Sequence, residues 1–356
     1  MRYLSRPGSF LGSACAMAML ALLFAEPTES PGQAPTDLPK IIKPKHENYV
    51  EKLNDSVSFH MLAIPGGDFL MGSPAGEKGR VADEGPQHPV TIPPFWMGKL
   101  EVTWDEFDWF WTKRFPGGQP PPRPNLAKKP DKLSDAITSP TPPYADETFG
   151  HGMGTRAGYP VLAISHHAAM EYCRWLSEKT GKKYRLPTEA EWEWACRAGT
   201  TTAFSFGDDP KKLGDHAWIE ENADEHSHPA GKKKANPWGL HDMHGNVAEW
   251  CIDRYSKDFY GTLPADKLSL NPFVPPTENR YSYVARGGSW IAAPAKCRSA
   301  ARDHSDKKWL QRDPQRPQSI WWMTEADYVG FRVVRSVTED ERLSKIRSLV
   351  TWWSPE

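Results

Sequence analysis

The chain has 356 residues, long enough for one large domain or two small ones. Its 44 Lys and Arg against 45 Asp and Glu leave a formal net charge of −1, which removes the electrostatic case for a nucleic-acid partner. Sixteen Trp, 34 Pro and a mean hydropathy of −0.64 describe a loop-rich domain with a Trp-studded core, not a bundle of long helices.

Residues 1–25 read as a secretory signal peptide: Arg2 and Arg6 precede the apolar run Phe10 to Phe24, and Ala25 is a plausible cleavage point. The run is short of the ~20 residues of a membrane span. No later stretch is apolar enough to span. The expectation is an exported protein, periplasmic, secreted or at the cell surface. Residues 26–56 read as a Pro-rich linker, residues 57–336 as one domain and residues 337–356 as a tail.

Within the domain, Ser58 to Ile64 alternates like a strand that turns at Pro65-Gly66-Gly67, and Phe69 starts the next strand. Residues 72–87 form a polar loop. Strands follow over His88 to Ile92 and Phe95 to Val102. Thr103 and Glu106 make a capping box for a helix over Trp104 to Lys113, with Phe107, Phe110 and Trp111 on one face. Residues 115–158 form a Pro-rich insert. Pro160 to Ile164 reads as a strand. Ser165 then caps a helix over His166 to Lys179 that Gly181 ends, with Ala169, Tyr172, Cys173 and Leu176 as its apolar stripe.

His166 and His167 are adjacent on that helix and point in different directions, so packing explains them better than a shared ion. Thr188 and Glu191 form a second capping box, for a helix that Gly199 ends. Glu189, Glu191 and Glu193 resemble a catalytic carboxylate set. Glu191 belongs to the cap and acids in a first turn suit the helix dipole, so a structural role is expected. His226 and His228 belong to a polar, solvated stretch. Tyr281 to Arg286 alternates like a strand that ends at Gly287-Gly288. Tyr328 to Val334 reads as the closing strand, and Leu343, Ile346 and Leu349 have helical spacing in the tail. With the signal removed, Cys173, Cys196, Cys251 and Cys297 permit two disulfides in three pairings, with buried free thiols an equal alternative.

The stretch Pro237-Trp-Gly-Leu-His-Asp-Met-His-Gly-Asn-Val-Ala-Glu-Trp250 has neither helical nor alternating period and reads as a tight buried loop. Asp242, the backbone carbonyls near Gly245 and Val247, and Glu249 offer the mixed carboxylate and carbonyl oxygens that calcium takes. The alternative is a structural turn with Glu249 paired to an Arg.

That stretch resembles the G-N-V-x-E-W signature of the formylglycine-generating enzyme, or sulfatase-modifying factor, family. Ile64-Pro-Gly-Gly-Asp-Phe-Leu-Met-Gly72, Arg185-Leu-Pro-Thr-Glu-Ala-Glu-Trp-Glu-Trp194, Arg286-Gly-Gly-Ser-Trp290 and Gly330-Phe-Arg-Val333 agree in the family's order. The resemblance implies an irregular, loop-rich α+β fold of C-type-lectin-like architecture. It also implies an oxidase that converts a sulfatase cysteine to formylglycine, using two cysteines that bind copper. Two soft thiolates suit Cu(I).

The first of those cysteines is Ala292 here. The second is Cys297 by ungapped count. In the favoured register, set by the Ala-Ala-Arg302 end, the loop is three residues shorter and Cys297 falls outside the catalytic position. Ser289 and Arg302 match the family's active-site Ser and pocket Arg, Ala248 replaces a Trp and His166 replaces another. The resemblance assigns calcium to Asp242, Gly245, Val247 and Glu249. It pairs the positions of Cys173 and Cys196 with late cysteines, which are Val333 and Ser299 here, so Cys173–Cys196 and Cys251–Cys297 become the pairings to test.

Three readings follow. The preferred one is a non-catalytic, calcium-stabilised binding scaffold for a peptide, protein or glycan. The alternative is the copper-dependent oxidase itself. A non-haem iron enzyme is least supported, because the chain has no added His-rich helical domain.

Overall fold

The computed structural model describes residues 38–113, 157–313, 318–351 and 354–355. The signal-peptide reading and nearly all of the Pro-rich insert fall outside these residues. Among them no helix is long and apolar enough to cross a membrane.

Among the described residues the strands assemble into three four-stranded sheets. In the first, β4 (Gly66–Met71) lies between β1 (Lys40–Ile42) and β5 (His88–Ile92), with β8 (Ser269–Leu270) parallel to β5 at the edge. In the second, β3 (Ser58–Ile64) lies between β2 (Tyr49–Lys52) and β6 (Phe95–Gly98), and β12 (Val334–Ser336) pairs with β6. In the third, β7 (Ala248–Arg254) and β9 (Tyr283–Arg286) are antiparallel, β10 (Asp303–His304) extends β9, and β11 (Val329–Gly330) runs parallel to β7.

Local sequence fixes the helices. α1 is Trp104–Lys113, and its Phe107 and Phe110 are fully buried. α2 is His166–Thr180, capped by Ser165 and ended by Gly181 at φ 69°. α3 is Glu189–Arg197, with Thr188 and Glu191 completing the capping box. α4 (Leu213–His216) and α5 (Glu341–Ser344) are single turns. One aromatic core joins α1 to α2 and the closing segment: Phe107 stacks on Tyr172 at 5.7 Å, and Phe331 meets Tyr172 edge-on at 5.3 Å. A second core packs Trp192 and Trp194 of α3 against Phe69, Val90 and Met97.

Four sequence expectations need correction. The segment read as a linker supplies β1 and β2, so ordered pairing begins well before Val57. Pro160 to Ile164 makes only isolated bridges, from Pro160 to Thr103 and from Ile164 to Trp322. Val161 and Ile164 are buried in the core shared with α1 and Trp321-Trp322, and Leu162 packs with Val247 and Trp290, rather than in a ladder. The expected closing strand is two short strands in different sheets, because the chain turns Arg332 inward between them. The four cysteines are free and buried, so neither tested pairing forms. Cys173 lies in the α1–α2 core, Cys196 and Cys251 in the α3 core, and Cys297 in a small cluster with Phe204 and Ile219.

The cap of α1 carries a pH dependence. Burial pushes the Glu106 carboxyl up to about 7, although the Thr103 N–H and hydroxyl both donate to it, at 3.1 and 2.9 Å. A carboxyl that holds its proton more tightly folded than unfolded contributes stability that is full below its ordinary value of 4.5 and is lost as pH rises through about 7. Urea unfolding at pH 4.5 and 8.5 is expected to show wild type losing about 3 kcal/mol more than Glu106→Gln over that interval. Equal losses would mean the carboxyl does not titrate in this way.

Candidate functional site

The carboxylates of α3 are all engaged. Glu189 takes two hydrogen bonds from Arg302, at 2.7 and 2.9 Å. Glu191 takes the Thr188 N–H at 2.9 Å and a forked pair from Arg185 at 2.6 and 2.7 Å. Glu193 accepts from Arg197 at 2.9 Å, from the Gly72 N–H at 2.8 Å and from Arg286. Each acid therefore ties α3 to a different part of the chain, which matches the structural role read from the caps. These pairs are buried, and forked guanidinium–carboxylate geometry offsets the cost of desolvating both charges.

Above this ion ladder the strand β9 ends at Gly287-Gly288, and a cavity of about 190 Å³ opens beside it. Ser289, Ala292 and Arg302 line it, as do Ala248, Asp303 and Tyr328. Arg302 forms a fixed wall: Glu189 holds one side of its guanidinium, and its Nη1 donates to the Asp83 carbonyl at 2.8 Å. Ser289 is only 2% exposed.

Cys297 does not reach this cavity. It is fully buried behind the turn, and a Cβ added to Gly288 would stand 2.5 Å from its Sγ. Gly288 has φ 67°, so the turn needs glycine both for its backbone and for this close approach. Burial raises the Cys297 and Cys196 thiols to about 12, and the Cys251 and Cys173 thiols are raised by the same cause. The Cys196 thiol faces the Ser299 hydroxyl at 3.7 Å. That contact places Ser299 opposite Cys196, in agreement with the shorter-loop register.

The central loop is buried as expected, and its parts diverge. Asn246 at φ 65° and Asp242 at φ 60° turn the chain. Glu249 accepts from both sides of the Arg332 guanidinium and from the Trp192 indole at 2.8 Å. This is the ion-paired turn that stood as the alternative to calcium. Asp242 behaves differently. One of its oxygens takes the Gly231 N–H at 2.6 Å, and the other is buried with no partner. Facing it is Glu101, a buried acid that accepts from Asn246 Nδ2 at 3.2 Å and from the Val247 N–H at 3.4 Å. Burial and the neighbouring carboxylates raise Glu101 well above its ordinary value, and burial raises Asp242 to about 6. Three buried carboxylates thus share one guanidinium. Among the described residues no three His, Cys, Asp or Glu side chains stand at metal-binding spacing.

The orphaned Asp242 oxygen fits a hard cation, and Glu249 with both oxygens occupied fits it less well. Gly245 is pinned here, since a Cβ on it would meet the Trp218 carbonyl at 2.3 Å.

Sequence reading missed Glu101, Asp303 and Tyr328. Glu101 carried a signal: it is the one acid inside the largely apolar run from Phe95 to Trp104. Asp303 and Tyr328 carried none, because their nearness depends on β10 and β11 flanking β9 and β7 in one sheet. The two helical histidines are core residues. His166 stacks on Tyr283 at 3.8 Å and bonds the Cys251 carbonyl, with burial lowering it to about 3. His167 bonds Ser348 Oγ at 2.8 Å. His226 and His228 line up with Trp218, whose ring stacks on His228 at 3.7 Å.

Residues 48–337 match the sulfatase-modifying factor enzyme 1-like domain. The chain is 30% identical over 281 residues to a formylglycine-generating enzyme of Thermomonospora curvata, covering 68% of this chain and 87% of that one. It is 29% identical over 323 residues to a formylglycine-generating enzyme of Mycobacterium tuberculosis, covering 77% of this chain and 97% of that one. The solved structure of PvdO from Pseudomonas aeruginosa superposes with a TM-score of 0.60 at 28% identity, covering 83% of this chain and all of that one. The chain belongs to the sulfatase-modifying factor family, which includes the formylglycine-generating enzymes, and has the family's loop-rich α+β, C-type-lectin-like fold.

Proposed function

We propose that this domain is a non-catalytic binding scaffold that uses the Ser289 cavity to hold part of a peptide, protein or glycan. The observation that carries the reading is the lining of that cavity: Ala292 stands among Ser289, Arg302 and Tyr328, and no thiol is present there. Oxidation of a substrate cysteine through copper needs two thiolates at one accessible point. Here the four thiols of the described domain are buried, and burial holds each in its protonated form. The runner-up, a formylglycine-generating oxidase, is favoured only by the activity named for the relatives. The apolar leader from Phe10 to Phe24 supports an exported location for this scaffold.

Anaerobic Cu(I) titration of the purified protein, then mass spectrometry of a cysteine-containing sulfatase peptide incubated with it in air, separates the two. The expected result is no tight copper binding and no conversion. Conversion of the peptide thiol to an aldehyde would overturn the scaffold reading.

Calcium belongs to the same proposal as a structural ion, held by Asp242 with Glu101 beside it and with carbonyls of the Gly245–Val247 turn. A divalent ion would offset the excess negative charge that raises both carboxyls. Treatment with EGTA at pH 7.5 is expected to lower the melting temperature by several degrees, with recovery on adding calcium and no response in Asp242→Ala. An unchanged melting curve would remove calcium from the proposal.

A further inference from the structure

We propose that the Ser289 cavity selects a primary ammonium on a short aliphatic stem, the chemistry shared by a lysine side chain and a free alkylamine. The inference rests on reading this cavity as a binding site, and it adds the class of ligand.

The polar groups left over in the cavity point to it. The Arg302 and Arg286 guanidinium groups are committed to Glu189, Glu193 and backbone carbonyls, so neither presents a free charge. Asp303 lines the cavity and is exposed, and its Oδ1 accepts only the His304 N–H at 2.8 Å. Asp306 and Asp327 lie close enough to add their charge to that of Asp303 at the Tyr328 hydroxyl. The bases facing Asp303 are Lys296 and His304. The mouth thus carries more negative than positive charge, which favours a cation.

Two further features give the ligand its form. Ser289 is 2% exposed and lines the cavity. Its hydroxyl oxygen can accept from a ligand donor, and an ammonium has three N–H donors. The rest of the lining is short and apolar. Ala248 and Ala292 leave room next to Ser289, and Ile291 stands 43% exposed at the rim, where a methylene chain can lie against it. Tyr328 lines the cavity on the same side as Ala248. A volume of about 190 Å³ admits one side chain or a small amine, not a folded element.

The test is isothermal titration of the purified protein with four probes: Nα-acetyl-lysine methylamide, its Nε-acetyl derivative, n-butylammonium and hexanoate. Both ammonium probes are expected to bind at least ten-fold more tightly than the acetylated probe and hexanoate. Tighter binding of the lysine probe assigns the site to a polypeptide side chain, and equal binding assigns it to a small amine. Asp303→Asn should weaken ammonium binding at least ten-fold and Ser289→Ala several-fold, while Lys296→Ala should preserve or strengthen it. Melting curves of the three variants check that each is folded. Equal binding of charged and acetylated probes, preference for hexanoate, binding unchanged in Asp303→Asn, or no binding of any probe would each overturn the proposal. A charge-blind but saturable cavity would leave the scaffold reading intact. Aldehyde formation in the copper experiment would remove that reading without bearing on charge selectivity.

Discussion

Ser299→Cys is expected to form a disulfide with Cys196 under oxidising conditions and to stabilise the domain by about 2–4 kcal/mol. The two side chains already touch, with Sγ and Oγ 3.7 Å apart. Cross-linking them closes a loop of roughly a hundred residues, and the chain-entropy gain for such a loop is the source of the estimate. The melting temperature should rise by about 5–10 °C when oxidised and return near wild type with reductant. Counting thiols in denaturant before and after reduction checks the chemistry: the oxidised variant should lose two. Cys196 makes contacts to Met243 and His244 that must shift by a small amount, so the gain will fall short of the full entropic figure. A variant with all thiols still titratable after oxidation would show that Ser299 does not occupy the position opposite Cys196.

Glu249→Ala is expected to cost about 3–5 kcal/mol, enough to unfold much of the population at 37 °C. The loss comes mainly from what remains behind. Arg332 is fully buried, and without Glu249 its guanidinium would lose its forked carboxylate and keep the carbonyls of Gly98, Lys99 and His241, at 3.0, 3.5 and 2.9 Å, with Glu101 and Asp242 nearby. The Trp192 indole N–H would also lose its acceptor. Arg332→Ala should be similarly severe for the mirror-image reason, adding a third buried carboxylate charge to Glu101 and Asp242 that nothing balances. Because the two side chains serve one another, the double variant should cost less than the two singles combined, by about 1–3 kcal/mol. Urea unfolding of all four proteins measures this. Strict additivity would mean that Glu249 acts chiefly through some other contact.

The helices were readable because their signals are local. Thr103 with Glu106, Ser165 with Gly181, and Thr188 with Glu191 each settle a boundary within a few residues of chain. The same motifs carried the family, and they placed Ser289, Ala292 and Arg302 around one cavity. What sequence could not give was partnership at long range. Glu101 faces Asp242 only because β6 and the central loop are brought together, and no residue near either one announces the other. The free orientation of Asp303 depends on β10 joining the edge of β9. Short strands were equally hard to read: β1 and β2 lack the alternation of a half-buried sheet because most of their residues are exposed. Pro160 to Ile164 has strand-like composition, yet tertiary packing took it out of any ladder.

The divided closing segment has a consequence for how the chain comes to be folded. β11 completes a sheet whose other strands come from the last third of the chain, whereas β12, a few residues later, completes one that begins at Tyr49. Arg332 sits between them and neutralises Glu249. The sheet that begins at Tyr49 therefore waits for Val334 to Ser336, and the central loop waits for its counter-charge. A chain emerging at 5–20 residues per second would spend many seconds with β6 unpaired at one edge and Glu249 unpartnered. A truncation just before Arg332 should therefore yield a species that chaperones hold rather than a smaller stable domain.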